Sequence, residues 1–327
     1  MHWARLFRRT RTTSIWLLRL VLFFSLVATS AYSAAVDGVT IVLSEEAGVY
    51  SEFAINLSNI LTQSATTRPA VKIIAANKFS ADDLPRTTSN QMIVAVGTTA
   101  MVALAQKPTP IPVLNVLIPQ NNFYKITRQN SRLQDSRKFS AIFVDQSWAR
   151  QLGLIQVSMS GHPRVGVLLG KEETESIPAL QSAAKDADMS LNIETVADDA
   201  ELLTALRKLL ANSDALLAVP DPKIYNRNNI SSILLTSYRQ QIPLFGFSAS
   251  YVKAGALASV YSLPTQVSQQ VAEIINNLPA SGNLPPPQYP RYFSINTNPQ
   301  VARSLGINIA PEPELQYKLK HITERAP

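Results

Sequence analysis

An α/β protein of two lobes is predicted, each lobe a parallel sheet covered on both faces by helices. Three observations predict it. From residue 39 onward, short β-branched or aliphatic runs alternate with longer segments of helical spacing, the pattern of strands joined by crossover helices. This alternation runs as two successive sets, roughly 39–144 and 164–245, more parallel strands than one sheet needs. Finally, 327 residues is about twice the length of a typical single domain.

Strands are expected at 40–43, 70–75, 92–96, 113–116, 140–144, 164–169, 191–195, 215–219, 243–245 and 257–261. Helical spacing over 50–63 puts Phe53, Ile55, Leu57, Ile60 and Leu61 mainly on one side, and 147–158, 174–187, 200–212, 229–240 and 264–278 are also helical. Asp198-Asp199 and Asn228-Asn229 suit helix starts, and Pro264 suits a first turn. Residues 278–290, with Ser281-Gly282-Asn283 and Pro285-Pro286-Pro287, form an extended connector. A strand at 292–296 and a short helix at 299–305, closed by Gly306, follow it; the polar tail 312–327 is expected to fray. Two Rossmann-like lobes satisfy all of this.

Composition narrows the function. With 16% charged and 46% hydrophobic residues the chain is too apolar to be disordered. Its cysteine count of 0 removes disulfides, thiolate catalysis and lipid attachment to cysteine. The net charge of +7 invites a nucleic-acid partner, but Arg5, Arg8, Arg9, Arg11 and Arg19 lie in residues 1–35 without an acid, leaving +2 for the rest. No nucleic-acid surface is expected.

Residues 1–35 read as a secretory signal peptide: a basic start, an apolar stretch from Leu20 to Ala28, then small residues through Ala35. Cleavage after Ser33 and cleavage after Ala35 both fit. Arg19 and Ser25 interrupt the apolar run short of a membrane span, and Arg8-Arg9 lacks the hydrophobic follow-up of a twin-arginine signal. A periplasmic location without a lipid anchor is therefore expected.

Catalytic motifs fail in turn. Beyond the leader the histidines are His162 and His321, far apart and without carboxylates at ligand spacing, so no metal is expected. Neither G-x-x-x-x-G-K-[ST] nor G-x-G-x-x-G occurs. Gly246-Phe247-Ser248-Ala249-Ser250 differs from a nucleophile elbow at its second glycine, and Ser248 reads as a helix cap or a ligand-facing hydroxyl. Asp82-Asp83, Glu172-Glu173 and Asp198-Asp199 sit at helix beginnings, where negative charge suits the dipole. No enzyme, cofactor or catalytic residue is expected.

Ligands of parallel α/β sheets bind beyond the carboxyl ends of the strands, among helix N-termini. Gly97-Thr98-Thr99 there suits an anionic group, or Thr98 caps its own helix. Gln120 and Asn121 follow the next strand and can both donate and accept. Asp221, between Pro220 and Pro222, is either a partner for a cationic ligand or a turn residue. Tyr225 or Tyr251 would supply an aromatic wall.

The ordered series Arg164–Leu169, Asp214–Pro220, Ile242–Gly246 and Ala254–Ser259, closing with Asn296 to Ile307, resembles the substrate-binding proteins of ABC transporters. It is most similar to the branch with the type I periplasmic-binding-protein fold that includes tryptophan- and tyrosine-binding members. The resemblance implies a monomer whose lobes, joined by three crossovers near Val144, Gly255 and Pro290, close on a small polar or aromatic molecule and deliver it to an inner-membrane permease. The lobes would be residues 36–143 with 257–290, and 144–256 with 291–311. Gly97-Thr98-Thr99-Ala100 matches that family's ligand-side helix start. Three acidic elements of the family are altered, to Leu117–Asn121, Pro220-Asp221-Pro222 and Phe247–Ser250, which counts against an α-amino-acid ligand. A ligand sensor or protein-interaction module of the cell envelope, built on the same fold, is the alternative.

Overall fold

The computed structural model describes residues 36–63, 68–84, 90–134 and 136–324. Residues 1–35, expected to be a signal peptide, lie outside the described residues. In the first sheet, β1 (Gly38–Leu43), β2 (Ala70–Ala75), β3 (Gln91–Val96), β4 (Val113–Ile118) and β5 (Phe139–Phe143) run parallel in the order β2-β1-β3-β4-β5. The second holds β6 (Arg164–Gly170), β7 (Ser190–Val196), β8 (Ala215–Leu217), β9 (Leu244–Gly246), β10 (Ala258–Tyr261) and β11 (Ser294–Thr297), in the order β11-β10-β9-β8-β6-β7. The two sheets therefore repeat one winding order, and β11 is an added antiparallel edge.

The first-half helices are α1 (Gly48–Gln63), α2 (Thr98–Ala105), α3 (Gln120–Arg128), α4 (Ser131–Gln134) and α5 (Trp148–Ser158). They are followed by α6 (Ile177–Asp186), α7 (Asp199–Leu210), α8 (Ile230–Arg239), α9 (Ala249–Ala254), α10 (Pro264–Asn276), α11 (Pro299–Ser304) and α12 (Glu312–Thr323). Local chemistry sets their starts. Asp198 accepts from the Ala200 and Glu201 N–H groups, Asn298 from those of Gln300 and Val301, and Ser147 from that of Arg150. The expected helix 174–187 begins as a 3-10 turn, Lys171–Ser176, and becomes α-helical at Ile177, where Pro178 suits the first turn.

Burial follows the layering. All six residues of β1 are buried, as a strand covered on both faces requires, whereas in edge strand β2 only Ala75 is buried. Phe53, Leu57 and Leu61 of α1 pack with Val267, Val271 and Ile275 of α10 on one face of the first sheet. Ala100, Met101 and Leu104 of α2, with Phe123 of α3, cover the other. The second lobe gathers its core around β6, β8 and β9.

Two expectations are corrected. Residues 257–261 were expected in the first lobe with a crossing near Gly255; instead β10 pairs with β9 and β11 in the second sheet. The chain crosses after Tyr261, at 262–263, because α10 then packs on α1, its Ser268 hydroxyl donating to the Phe53 carbonyl at 3.1 Å. The tail's described part, residues 312–324, is not frayed: it forms α12, packed against α5 with Leu315 and Leu319 fully buried. Gly153 admits this contact, since a Cβ there would lie 2.8 Å from Leu319 Cδ1.

Candidate functional site

A cleft of about 170 Å³ lies between the lobes at the carboxyl ends of the strands. Its first-lobe wall begins where β4 ends. Leu117 takes a left-handed conformation, φ 53, and the β4–β5 register shifts beside it. For a residue with a large side chain this backbone is strained, and the strain sits at the cleft. It turns Pro119, Gln120, Asn121 and Asn122 toward the opening.

Gln120 is held from two directions. Its N–H donates to Asp145 Oδ2 at 2.6 Å, so a carboxylate from the first crossing caps α3. Its Oε1 accepts from the Tyr289 hydroxyl at 2.9 Å, from the third crossing. Burial raises the Asp145 carboxyl above its usual range, and the hydrogen bond from Gln120 only partly opposes this. Burial likewise raises the Tyr289 phenol.

The second-lobe wall contains Leu169, Glu173 and Ser176 after β6, and Val219 to Pro222 after β8. Asp221, 2% exposed, accepts from the Gly170 N–H at 2.7 Å and the Lys223 N–H at 2.9 Å. Both carboxylate oxygens thus serve backbone N–H groups, one at the end of β6 and one in the loop itself. Across the cleft, Asn121 donates to Glu173, and Arg128 pairs with Glu175 at 3.0 Å.

The floor is the hinge. Gln146 donates to Ser262 Oγ at 2.9 Å, and Ser262 donates to the Tyr292 carbonyl at 2.6 Å. Arg150 donates to Gln146 Oε1 at 2.6 Å and to the Pro290 carbonyl at 2.8 Å, and its guanidinium lies 4.4 Å from the Phe293 ring centroid. Glu324, beyond α12, pairs with it at 3.3 Å. One connected network therefore ties all three crossings together.

The structure brings Gln120, Asn121 and Asp221 into one cleft, and separates the other expected residues from it. Gly97, φ 85, caps α2, but the Ala100 N–H is taken by Ser44 Oγ at 3.0 Å, Thr99 points to solvent, and Thr98 accepts from Asn122 at 3.4 Å beside the cleft. Ser248 begins α9 without a side-chain cap. Tyr225 and Tyr251 are buried in the second lobe, their hydroxyls donating to the Leu217 and Tyr225 carbonyls, and the Tyr251 ring packs on Phe247. Burial pushes the Tyr251 phenol up to about 12. Neither tyrosine is among the cleft-lining residues.

Asp145, Gln146, Gln151 and Tyr289 also line the cleft, and sequence reasoning passed over them. A signal existed for Gln151, which together with Arg150 sets polar side chains beside Leu152, Leu154 and Ile155 on the buried side of α5. Among the described residues no group of three or more His, Asp or Glu could hold a metal, and no helix is long and apolar enough to cross a membrane.

A family model described as ABC transporter substrate binding protein matches residues 24–313. The chain belongs to this family. It is accordingly the solute-binding component of an ABC transporter, a binding protein and not an enzyme. Comparison with proteins of curated function found no match. Solved structures share the fold, the type I periplasmic-binding-protein architecture of two parallel-dominated sheets. The ligand-free, open structure of CD0873, a substrate binding protein with adhesive properties from Clostridium difficile, aligns at TM-score 0.64 and 16% identity, over 85% of this chain and 97% of that one. An ABC domain in complex with L-Trp from Streptococcus pneumonia aligns at 0.54 and 15%, over 87% and 98%. A conserved domain protein from Vibrio cholerae aligns at 0.55 and 18%, over 86% and 98%.

Proposed function

We propose that this protein is exported through the signal peptide at residues 1–35, works in the periplasm without a lipid anchor, and hands a small molecule to an inner-membrane ABC permease. The observation that carries the proposal is a cleft at the strand ends of both lobes, lined by polar and apolar side chains from each, floored by a hinge network and spanned by Asn121–Glu173. A ligand there gains contacts from both lobes only when they are together, which is how binding free energy drives closure. Gln120 and Asn121 orient the ligand through hydrogen bonds; Asp221 fixes the second-lobe loop that faces them.

The test is a thermal-shift screen of the purified protein, partly unfolded and refolded first to remove any bound solute, against amines, amino acids, sugars, nucleosides and organic acids. A solute at 100 times its dissociation constant adds about 2.7 kcal/mol of stability. A hit that Gln120→Ala weakens supports solute capture in this cleft. Absence of any hit, with a protein partner recovered from the envelope, would favour the sensor or interaction module instead.

A further inference from the structure

The cleft floor carries an acceptor that the protein does not satisfy. Gln151 is 4% exposed and lines the cleft, and its Oε1 has no hydrogen-bond partner among the described residues. Its amide orientation is fixed, because Nε2 donates to the Gln146 carbonyl at 2.8 Å, and the flipped amide would set two carbonyl oxygens against each other. A buried acceptor left unmade is costly, so the site favours a ligand that donates to it.

Charge points the same way. Among the described residues, Asp145, Glu173 and Asp221 line the cleft and no lysine, arginine or histidine does, the Arg150 guanidinium of the hinge being engaged by Gln146, Pro290 and Glu324. Where an anion would ordinarily settle, at the N-terminus of α3, Asp145 already supplies the carboxylate, and Ser44 takes the Ala100 N–H at the start of α2. An anionic ligand would therefore meet like charge at α3 and an occupied donor at α2.

We infer that the ligand is an amine without a carboxylate, whose protonated nitrogen is received by Gln151 Oε1 and the Asp145 carboxylate on the cleft floor. This rests on the solute-capture reading and narrows its substrate class. The two residues are tied to each other through the chain, since the carbonyl that holds the Gln151 amide belongs to Gln146, next to Asp145. Hydrogen bonds to a charged donor are the strong ones, and the burial of Gln151 makes that bond stronger.

Calorimetric titration and thermal shift would compare putrescine, agmatine and tryptamine with L-tryptophan and L-tyrosine, with succinate and phosphate, and with glucose. The expected result is saturable binding of at least one of the three amines, tighter than every zwitterion, anion or sugar. It should weaken tenfold or more in Gln151→Met, which removes the acceptor. Tighter binding of a zwitterion, an anion or glucose overturns the inference and leaves solute capture standing. Amine binding unchanged by Gln151→Met overturns it as well. If no probe of any class binds, the inference falls together with the solute-capture reading. The ranking on the unsubstituted protein decides the matter even if a variant does not fold.

Discussion

The Arg150 guanidinium donates to the Pro290 carbonyl at 2.8 Å and so joins the first crossing between the lobes to the third. Arg150 is 6% exposed, and burial lowers its pKa while Glu324 opposes the shift. Its place is structural and central: hinge residues must keep three strands of chain in register while the lobes move.

Arg150→Met should therefore destabilise the protein by about 3 kcal/mol, because it leaves the Gln146 and Pro290 acceptors buried and unpaired. Urea denaturation checks this. Glu324→Gln should cost much less, since that carboxylate is partly exposed and arginine keeps its other partners.

Leu315→Ala and Leu319→Ala should each cost about 2–5 kcal/mol, the range for emptying a filled core site. Gly153→Ala should also destabilise, as the new methyl would press on Leu319. Thermal unfolding of the three variants measures the contribution of α12.

Trp148 lines the cleft at the start of α5, and Trp3 and Trp16 lie in residues 1–35. Once residues 1–35 are removed, Trp148 is the sole tryptophan, and its emission should shift when a ligand draws the lobes together. A ligand that binds by calorimetry without changing that emission would show that the cleft does not close around Trp148.

Asp145 sets a pH dependence. Its folded pKa lies above the unfolded value, so the folded state holds more protons across that interval and stability falls as pH rises through it. Asp145→Asn should flatten that decline. A cationic ligand reverses the demand: its affinity should rise with pH as Asp145 ionises, and titrations at several pH values, repeated on Asp145→Asn, would show the dependence and its loss.

Asp221→Ala leaves the Gly170 and Lys223 N–H groups without their acceptor and should cost about 2 kcal/mol. Asp221→Asn, which keeps an acceptor, should recover part of this. If the charge itself faces the ligand, the Asn variant will fold well and still lose affinity; comparing its melting temperature with its titration separates the two roles.

The layered architecture was legible because parallel strands buried on both faces leave continuous apolar runs, as in β1, β3 and β4, and their crossover helices keep a helical period. Gln120, Asn121 and Asp221 were legible because each follows a strand at its carboxyl end. What sequence did not disclose depends on contacts distant in the chain. β10 reads like any strand, and only its pairing with β9 and β11 assigns it to the second sheet. Leu315, Leu319 and Ile322 are spaced for one helix face, but in so polar a segment they do not mark a packed helix until α5 offers Gly153 as a seat. Tyr225 and Tyr251 resemble ligand-facing aromatics in sequence, but their hydroxyls find carbonyl partners inside the lobe. The hinge network was hidden most completely, since Gln146, Ser262, Pro290 and Glu324 are remote from one another in the chain and meet only at Arg150 and its partners.

The interleaving of the lobes has a consequence for how the protein is made. The first lobe lacks α10 until residue 276 is available, and the second lacks β11 and α12 until residues 294–323 follow. A chain emerging from the ribosome therefore cannot complete either half before almost all of it has been synthesised. If the chain is exported as proposed, that delay keeps it threadable while synthesis continues.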